Sequence, residues 1–198
     1  LSGRDTQVDD DDAANLDDED RRMLGAAQME WARSRILDRS RPWSIVVSSV
    51  VVNDMSIELP GSFGVNESFP SGYLIHDGTA INTDGWDGYP AERRRLVAAL
   101  RDRGSGGVIL SGDVHSSWGF EGPTLDGDPV AVEMTTPAVS SAPMARARVP
   151  GVRRFLARQA DAIDHVRYAE LSERGYGTLE LTPASATMTW WHVHPWAQ

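Results

Sequence analysis

Residues 107–115 read Gly107-Val108-Ile109-Leu110-Ser111-Gly112-Asp113-Val114-His115. The apolar run over 107–111 is too short for a stable helix and is bounded by glycine, which predicts a buried strand. Gly112 permits a sharp exit, and an acid and an imidazole then follow two residues apart. In open α/β sheets, ligands collect beyond the carboxyl ends of strands. In extended backbone, side chains two residues apart share a side, so Asp113 and His115 can reach one metal cluster. A carboxylate beside a neutral imidazole suits iron, manganese or zinc, and the carboxylate also serves calcium. Taken alone, Asp-x-His has a second reading, a capped turn with a hydrogen-bonded histidine.

The flanking sequence sets this strand in an alternating pattern. Pro90 is placed as the first residue of a helix that runs through Leu96, Ala99 and Leu100 to a stop at Gly104. Before it lies a stretch of Gly, Asp, Ser and Pro over 53–89, long enough to suggest a lid or binding loop. The β-branched run 43–52 predicts a buried strand, and residues 21–40 a helix stopped by Pro42. Residues 1–20, with Asp9–Asp12 and then Asp17, Asp18, Glu19 and Asp20, read as a solvated acidic loop.

Downstream, 130–136 predicts a strand and 151–163 a helix carrying Arg153, Arg154 and Arg158, read as a solvated face. Strands follow at 166–171, 176–182 and 186–193. Helix-linked strands first and closely spaced strands last predict an α/β layered sandwich, with 1–198 as a single domain.

Composition narrows the function. The 198 residues are 40% hydrophobic and 24% charged, as in ordinary globular chains, with a net charge of −10. Such a surface repels phosphodiester polymers at long range and gives no support to nonspecific nucleic-acid binding. A metal cluster would still reverse the field locally. The chain has no cysteine, which excludes a thiolate zinc site and a cysteine nucleophile. No apolar run reaches the roughly 18–20 residues that span a bilayer.

Further segments add to the Asp-x-His pattern. Residues 23–31 and then 40–46 resemble a helix phrase LGxxQxxWL followed by SxxxW and a strand. Trp86-Asp87-Gly88-Tyr89-Pro90-Ala91-Glu92-Arg93 resembles WDGYPxxR, and residues 110–118 resemble LSGDVHxSW. Glu133-Met134-Thr135-Thr136-Pro137, with Ser140 and Ser141, resembles a Glu…Thr-Pro…Ser stretch. His165-Val166-Arg167-Tyr168 and Arg174-Gly175-Tyr176 resemble a closing HxxY…RGY. In this order the motifs resemble the C-terminal half of the PhoD-like (alkaline phosphatase D) metallophosphatases.

That resemblance implies a metallophosphoesterase-type four-layer α/β/β/α sandwich, of which this chain is the C-terminal half. It implies metal-dependent hydrolysis of phosphate mono- or diesters, with a metal-activated water as nucleophile and no covalent residue from this chain. The metals would be iron plus calcium, with manganese or zinc as alternatives, and family members are commonly exported. Asp113 would bind the second metal and His115 the first. The family's earlier ligands and its active-site arginine fall upstream of Leu1, so on this reading the chain acts as part of a longer enzyme, and its activity alone is left open. Residues 47–50 occupy the place of a Gly-His ligand in the wider superfamily, but Ser48 and Ser49 are not ligand candidates.

Other residues carry two readings. Asp87 and Tyr89 are candidates for positioning a bound phosphate, against Trp86 and Tyr89 as packing anchors with Asp87 capping the Pro90 helix. Glu133 is a candidate partner of a ligating histidine, or a sheet-edge acid. His165 is a candidate for contacting substrate or supporting a ligand, although it follows Ile163-Asp164 where the family has Asn-Pro. Two other function classes remain open. One is a serine hydrolase using Ser111, Ser116 or Ser117 with His115 and an aspartate, although a Gly-x-Ser-x-Gly elbow is missing. The other is an acidic calcium-dependent binding domain, although the acidic runs lack Asp-x-Asp-x-Asp-Gly spacing.

Overall fold

The computed structural model describes residue 16 and residues 18–58, 73–76, 79–143, 157–158 and 160–193. Asp9–Asp12, Asp17, Arg153, Arg154, His194 and most of the helix expected over 151–163 lie outside the described residues.

A five-stranded sheet forms the frame, in the order β1 (Ser44–Val47), β5 (Gly107–Ser111), β9 (Val132–Thr135), β6 (Ser117–Glu121), β10 (Val166–Glu170). β1, β5 and β9 are parallel, while β6 and β10 run antiparallel to their neighbours. The sheet is therefore mixed, with the crossover-linked strands at one side. Helices α1 (Ala26–Ile36) and α2 (Pro90–Arg103) pack together over one face, closing a core with Val52, Leu96, Leu100 and Ile109. The hairpin of β11 (Arg174–Leu181) and β12 (Ala186–Val193) lies over the other face. There Trp190 donates to the Thr135 carbonyl at 2.9 Å and sits where a Cβ on Gly119 would be 3.3 Å away.

α2 begins at Pro90 and ends in a left-handed Gly104, φ 88°, as the sequence requires. At its C-terminal end the buried Arg103 does the work of a cap for α1. Its guanidinium donates at 2.7–2.8 Å to the carbonyl of Ile36, one of those the helix end leaves orphaned, and to the carbonyls of Asp38 and Arg41 in the chain that follows. Only 11 residues of the helix expected over 21–40 are helical.

The strand expected over 43–52 stops at Val47. The chain turns at Ser48, whose N–H still reaches the Leu110 carbonyl at 2.9 Å, and 50–53 then lies on the helix-covered face of the sheet. Val51 and Val52 are buried as core rather than as strand. Their apolar character reads the same in both settings, and the backbone partner makes the difference. The N–H groups of Val52 and Asn53 donate to the Glu133 carboxylate at 2.9 and 2.7 Å, joined by Asn53 Nδ2 at 2.7 Å. Glu133 is thus no sheet-edge acid. It stands on the central strand, fully buried, and burial pushes its pKa up against the hydrogen bonds from Ser111, Val52 and Asn53.

The loop expected over 53–89 holds more structure than its composition suggests. β2 (Ile57–Glu58), β4 (Thr79–Asn82) and β3 (Tyr73–His76) form a small sheet, and residues 86–88 a 3-10 turn. β6 and the short pair β7 (Thr124–Leu125) and β8 (Asp128–Pro129) were not anticipated, because Ser, Gly and Pro interrupt the hydrophobic alternation there. The last strand matches its expected bounds, 186–193. No helix among the described residues is long and apolar enough to cross a membrane.

Replacing Glu133 by Ala strands three donors in the core and should lower stability by roughly 3 kcal/mol or more in urea unfolding. Glu133→Gln, which keeps one carbonyl acceptor, should lose less. An unchanged midpoint in both would show that the carboxylate is not what holds 51–53 to the sheet.

Candidate functional site

Beyond β5 the backbone does not stay extended. Asp113 and His115 adopt φ of 73° and 51°, left-handed conformations that L-residues seldom take. The expectation that extended backbone places both side chains on one side is therefore replaced by a different geometry. Two left-handed residues frame Val114, and both Asp113 and His115 come out exposed. Non-glycine residues in this region cost of order 1–3 kcal/mol each, and such strain concentrates at functional sites.

The two side chains are held differently. His115 Nδ1 lies 3.1 Å from the Ala142 carbonyl. A carbonyl only accepts, so this contact puts the proton on Nδ1 and leaves the Nε2 lone pair free. Asp113 makes no hydrogen bond or ion pair among the described residues, so its carboxylate oxygens are open to solvent. One free nitrogen and one free carboxylate at a strand end fit two ligands of a cation site. They do not fit a complete one, since the described residues contain no group of three or more His, Cys, Asp or Glu that could hold a metal ion.

The remaining candidates gather elsewhere. Asp87 does not cap α2; its carboxylate binds Arg93 and accepts the Met55 N–H at 3.1 Å. Arg93 also reaches Asp54 at 3.9 Å, and the Asp54 carbonyl accepts from His165 Nε2 at 3.2 Å. The His165 ring stands 5.9 Å from Phe120, which pairs with Glu133 at the level of Ile109. That is the middle of β5, two residues before Ser111. Trp86 is buried, with Nε1 on Ser48 Oγ at 3.1 Å, and Tyr89 packs under the Arg21 guanidinium at 4.9 Å. Arg21 Nε also donates to the Gly88 carbonyl at 2.6 Å, and a Cβ on Gly88 would run into the Thr83 backbone. The geometry of 86–93 is that of a tightly pinned turn.

Ser111, Ser116 and Ser117 are all buried. Ser111 bonds Thr135 Oγ1 at 2.8 Å, and Ser116 bonds the Val114 carbonyl at 2.9 Å while accepting from Trp118 Nε1 at 2.7 Å. None has a hydrogen bond to His115. Ser117 instead meets His192 Nε2 at 3.0 Å. This serine–imidazole contact spans 75 residues, and no local pattern in the sequence announces it. With Ser117 wholly closed to solvent, it joins the hairpin to the sheet rather than presenting a nucleophile.

Burial raises the Asp87 pKa from 3.8 to about 6, with the nearby Asp54 adding to the rise and Arg93 and the Met55 N–H opposing it. Between those two values the folded chain keeps a proton that the unfolded chain has released. Asp87 therefore contributes stability fully below about pH 4, and loses it as pH rises to about 6. The cumulative loss is about 3 kcal/mol. Urea unfolding of wild type and Asp87→Asn from pH 4 to 7 should show the wild type falling relative to the variant by an amount of that order. Parallel curves would mean that Arg93 holds the carboxylate ionised throughout.

Comparison with known proteins follows the same features. The chain is 27% identical over 120 residues to alkaline phosphatase D of Bacillus subtilis (strain 168), covering 58% of this chain and 18% of that protein. A solved structure described as "Structure of PhoD" superposes with a TM-score of 0.63 at 17% identity, over 88% of this chain and 33% of that one. At that identity the likeness shows the mixed α/β fold, and the chain spans a third or less of either relative's length. A family model for PhoD-like phosphatases matches residues 2–190, nearly the whole chain, and the chain belongs to that family.

Proposed function

We propose that the protein to which this chain contributes hydrolyses phosphate mono- or diesters, with Asp113 and His115 as two ligands of its metal centre. The observation that carries this reading is the pair of exposed, unspent donors set in left-handed backbone beyond a buried strand. Family membership supplies the ester class. The further ligands would come from parts of the fold that this chain does not cover, consistent with its 33% share of the solved relative.

Asp113 would offer an anionic oxygen and His115 a neutral Nε2, a donor set suited to iron with calcium, or to manganese or zinc. Metals held there would polarise the phosphoryl oxygens and acidify the attacking water. The chain's own contribution is position. β5 is buried between β1 and β9, so the Cα atoms of Gly112 and Asp113 are fixed to a rigid element. The Ala142 carbonyl turns the imidazole so that its free nitrogen is the one available to a ligand.

No side chain of this set is placed to form a covalent phosphoryl intermediate, since Ser111, Ser116 and Ser117 are buried and hydrogen-bonded. On this reading Asp87, Glu133 and His165 serve to hold residues 48–55 in place rather than to touch the phosphate. Tyr89 acts as the packing partner of Arg21. An acidic chain with a net charge of −10 favours small esters over nucleic-acid polymers as substrates.

The test is turnover of p-nitrophenyl phosphate and bis-p-nitrophenyl phosphate by the full-length protein, supplied with iron, calcium, manganese or zinc. Asp113→Ala and His115→Ala should each reduce metal-dependent kcat on the order of 100-fold or more, with folding unchanged. Turnover indifferent to both substitutions would place the centre elsewhere.

A further inference from the structure

His115 takes its orientation from a segment with no helix or strand of its own. Residues 136–143 leave the end of β9 and must present the Ala142 carbonyl at a fixed point. The anchors come from the first two residues of β11. Gly175 N–H donates to the Ala138 carbonyl at 3.1 Å, and Arg174 Nε donates to the Ser141 carbonyl at 2.9 Å. Ser141 and Ala142 are neighbours, so the Arg174 side chain holds the peptide next to the one that His115 binds. β11 is itself fixed, paired along its length with β12, whose His192 is tied to Ser117 two residues beyond His115. The imidazole is thus braced across the top of the sheet by a hairpin some 60 residues later in the chain.

We infer that Arg174 is a positioning residue for His115. It fixes the 141–142 carbonyls so that the ring is held as its Nδ1–H tautomer, with Nε2 directed to a cation. The role in ligation rests on the phosphoesterase reading above; the control of the tautomer stands on geometry alone. The Gly175 link is backbone to backbone and survives any change at position 174. Loss of the guanidinium therefore frees Ser141 without undoing the hairpin. A neutral imidazole released from the Ala142 carbonyl distributes its proton over both nitrogens, and the fraction bearing it on Nε2 cannot bind a metal through that atom.

The experiment uses the full-length protein labelled with 15N-histidine, read by long-range 1H–15N correlation at about pH 8.5, where an unperturbed imidazole is neutral. His115→Gln assigns the signal. Wild type should show the Nδ1–H tautomer alone, Arg174→Ala a mixture of both, and Arg174→Lys, which keeps one donor, a smaller admixture. Backbone spectra of the two Arg174 variants report whether each is folded, and the lysine variant decides the matter if the alanine variant is not. A His115 tautomer unchanged in the folded variants overturns the positioning role.

Zinc is then titrated into the full-length protein, wild type and Arg174→Ala, following the same His115 signal. A roughly 10-fold weaker affinity in the variant is expected. Equal affinities would overturn the role in ligation. A wild-type His115 signal untouched by zinc would instead overturn the assignment of His115 as a ligand, leaving the tautomer result to judge Arg174 as a structural brace.

Discussion

The Glu133 carboxylate is the constraint on which the rest of this fold depends. Three donors from Val52 and Asn53 converge on it in a site closed to water. An ionised buried carboxylate is costly unless hydrogen bonds compensate it, and backbone N–H groups lying flat on a sheet are costly unless accepted. Each solves the other's problem. The segment after β1 can then cross the face of the sheet without pairing as a strand, carrying Val51 and Val52 into two adjoining cores. Its far end delivers Asp54 and Met55 to Arg93, Asp87 and His165. A polar group at the centre of the sheet therefore decides where an apolar segment goes.

How much of this was legible in the sequence depends on the range of the interaction concerned. α2 could be placed because Pro90 and Gly104 mark both ends through backbone preferences local to each residue. β5 and β12 were legible because their hydrophobic patterns need no distant partner to be recognised. The limit of β1 was not, since nothing local separates a valine in a strand from one in a core-lining loop. β6 was missed because Ser117 and Gly119 break its pattern, and its identity as a strand comes from pairing with β9 and β10.

The candidate site divides in the same way. Asp113 and His115 were visible as a chemical pair at a strand end, but the left-handed backbone that presents them was not. Asp87 was visible only within a motif, and its partners Met55 and Arg93 emerge from packing. Ser117 with His192, and Arg174 with Ser141, join residues 75 and 33 apart. Such contacts have no signature in composition or spacing. They are products of the hairpin's placement across the sheet, which is fixed at its turn by Trp43 donating to the Thr182 carbonyl at 2.6 Å.

That hairpin has a consequence for the order in which the molecule is made. A chain leaves the ribosome from its N-terminus, so the strand bearing Asp113 and His115 can form against its neighbours well before residues 174–193 exist. Until then residues 136–143 lack both links to β11, and the bond between Ser117 and His192 cannot form. Closing such long loops is paid for in chain entropy before any contact rewards it, which places these links late in folding. During synthesis the nascent protein would thus pass through a stage in which β1, β5 and β9 can already be paired while the His115 imidazole is not yet set.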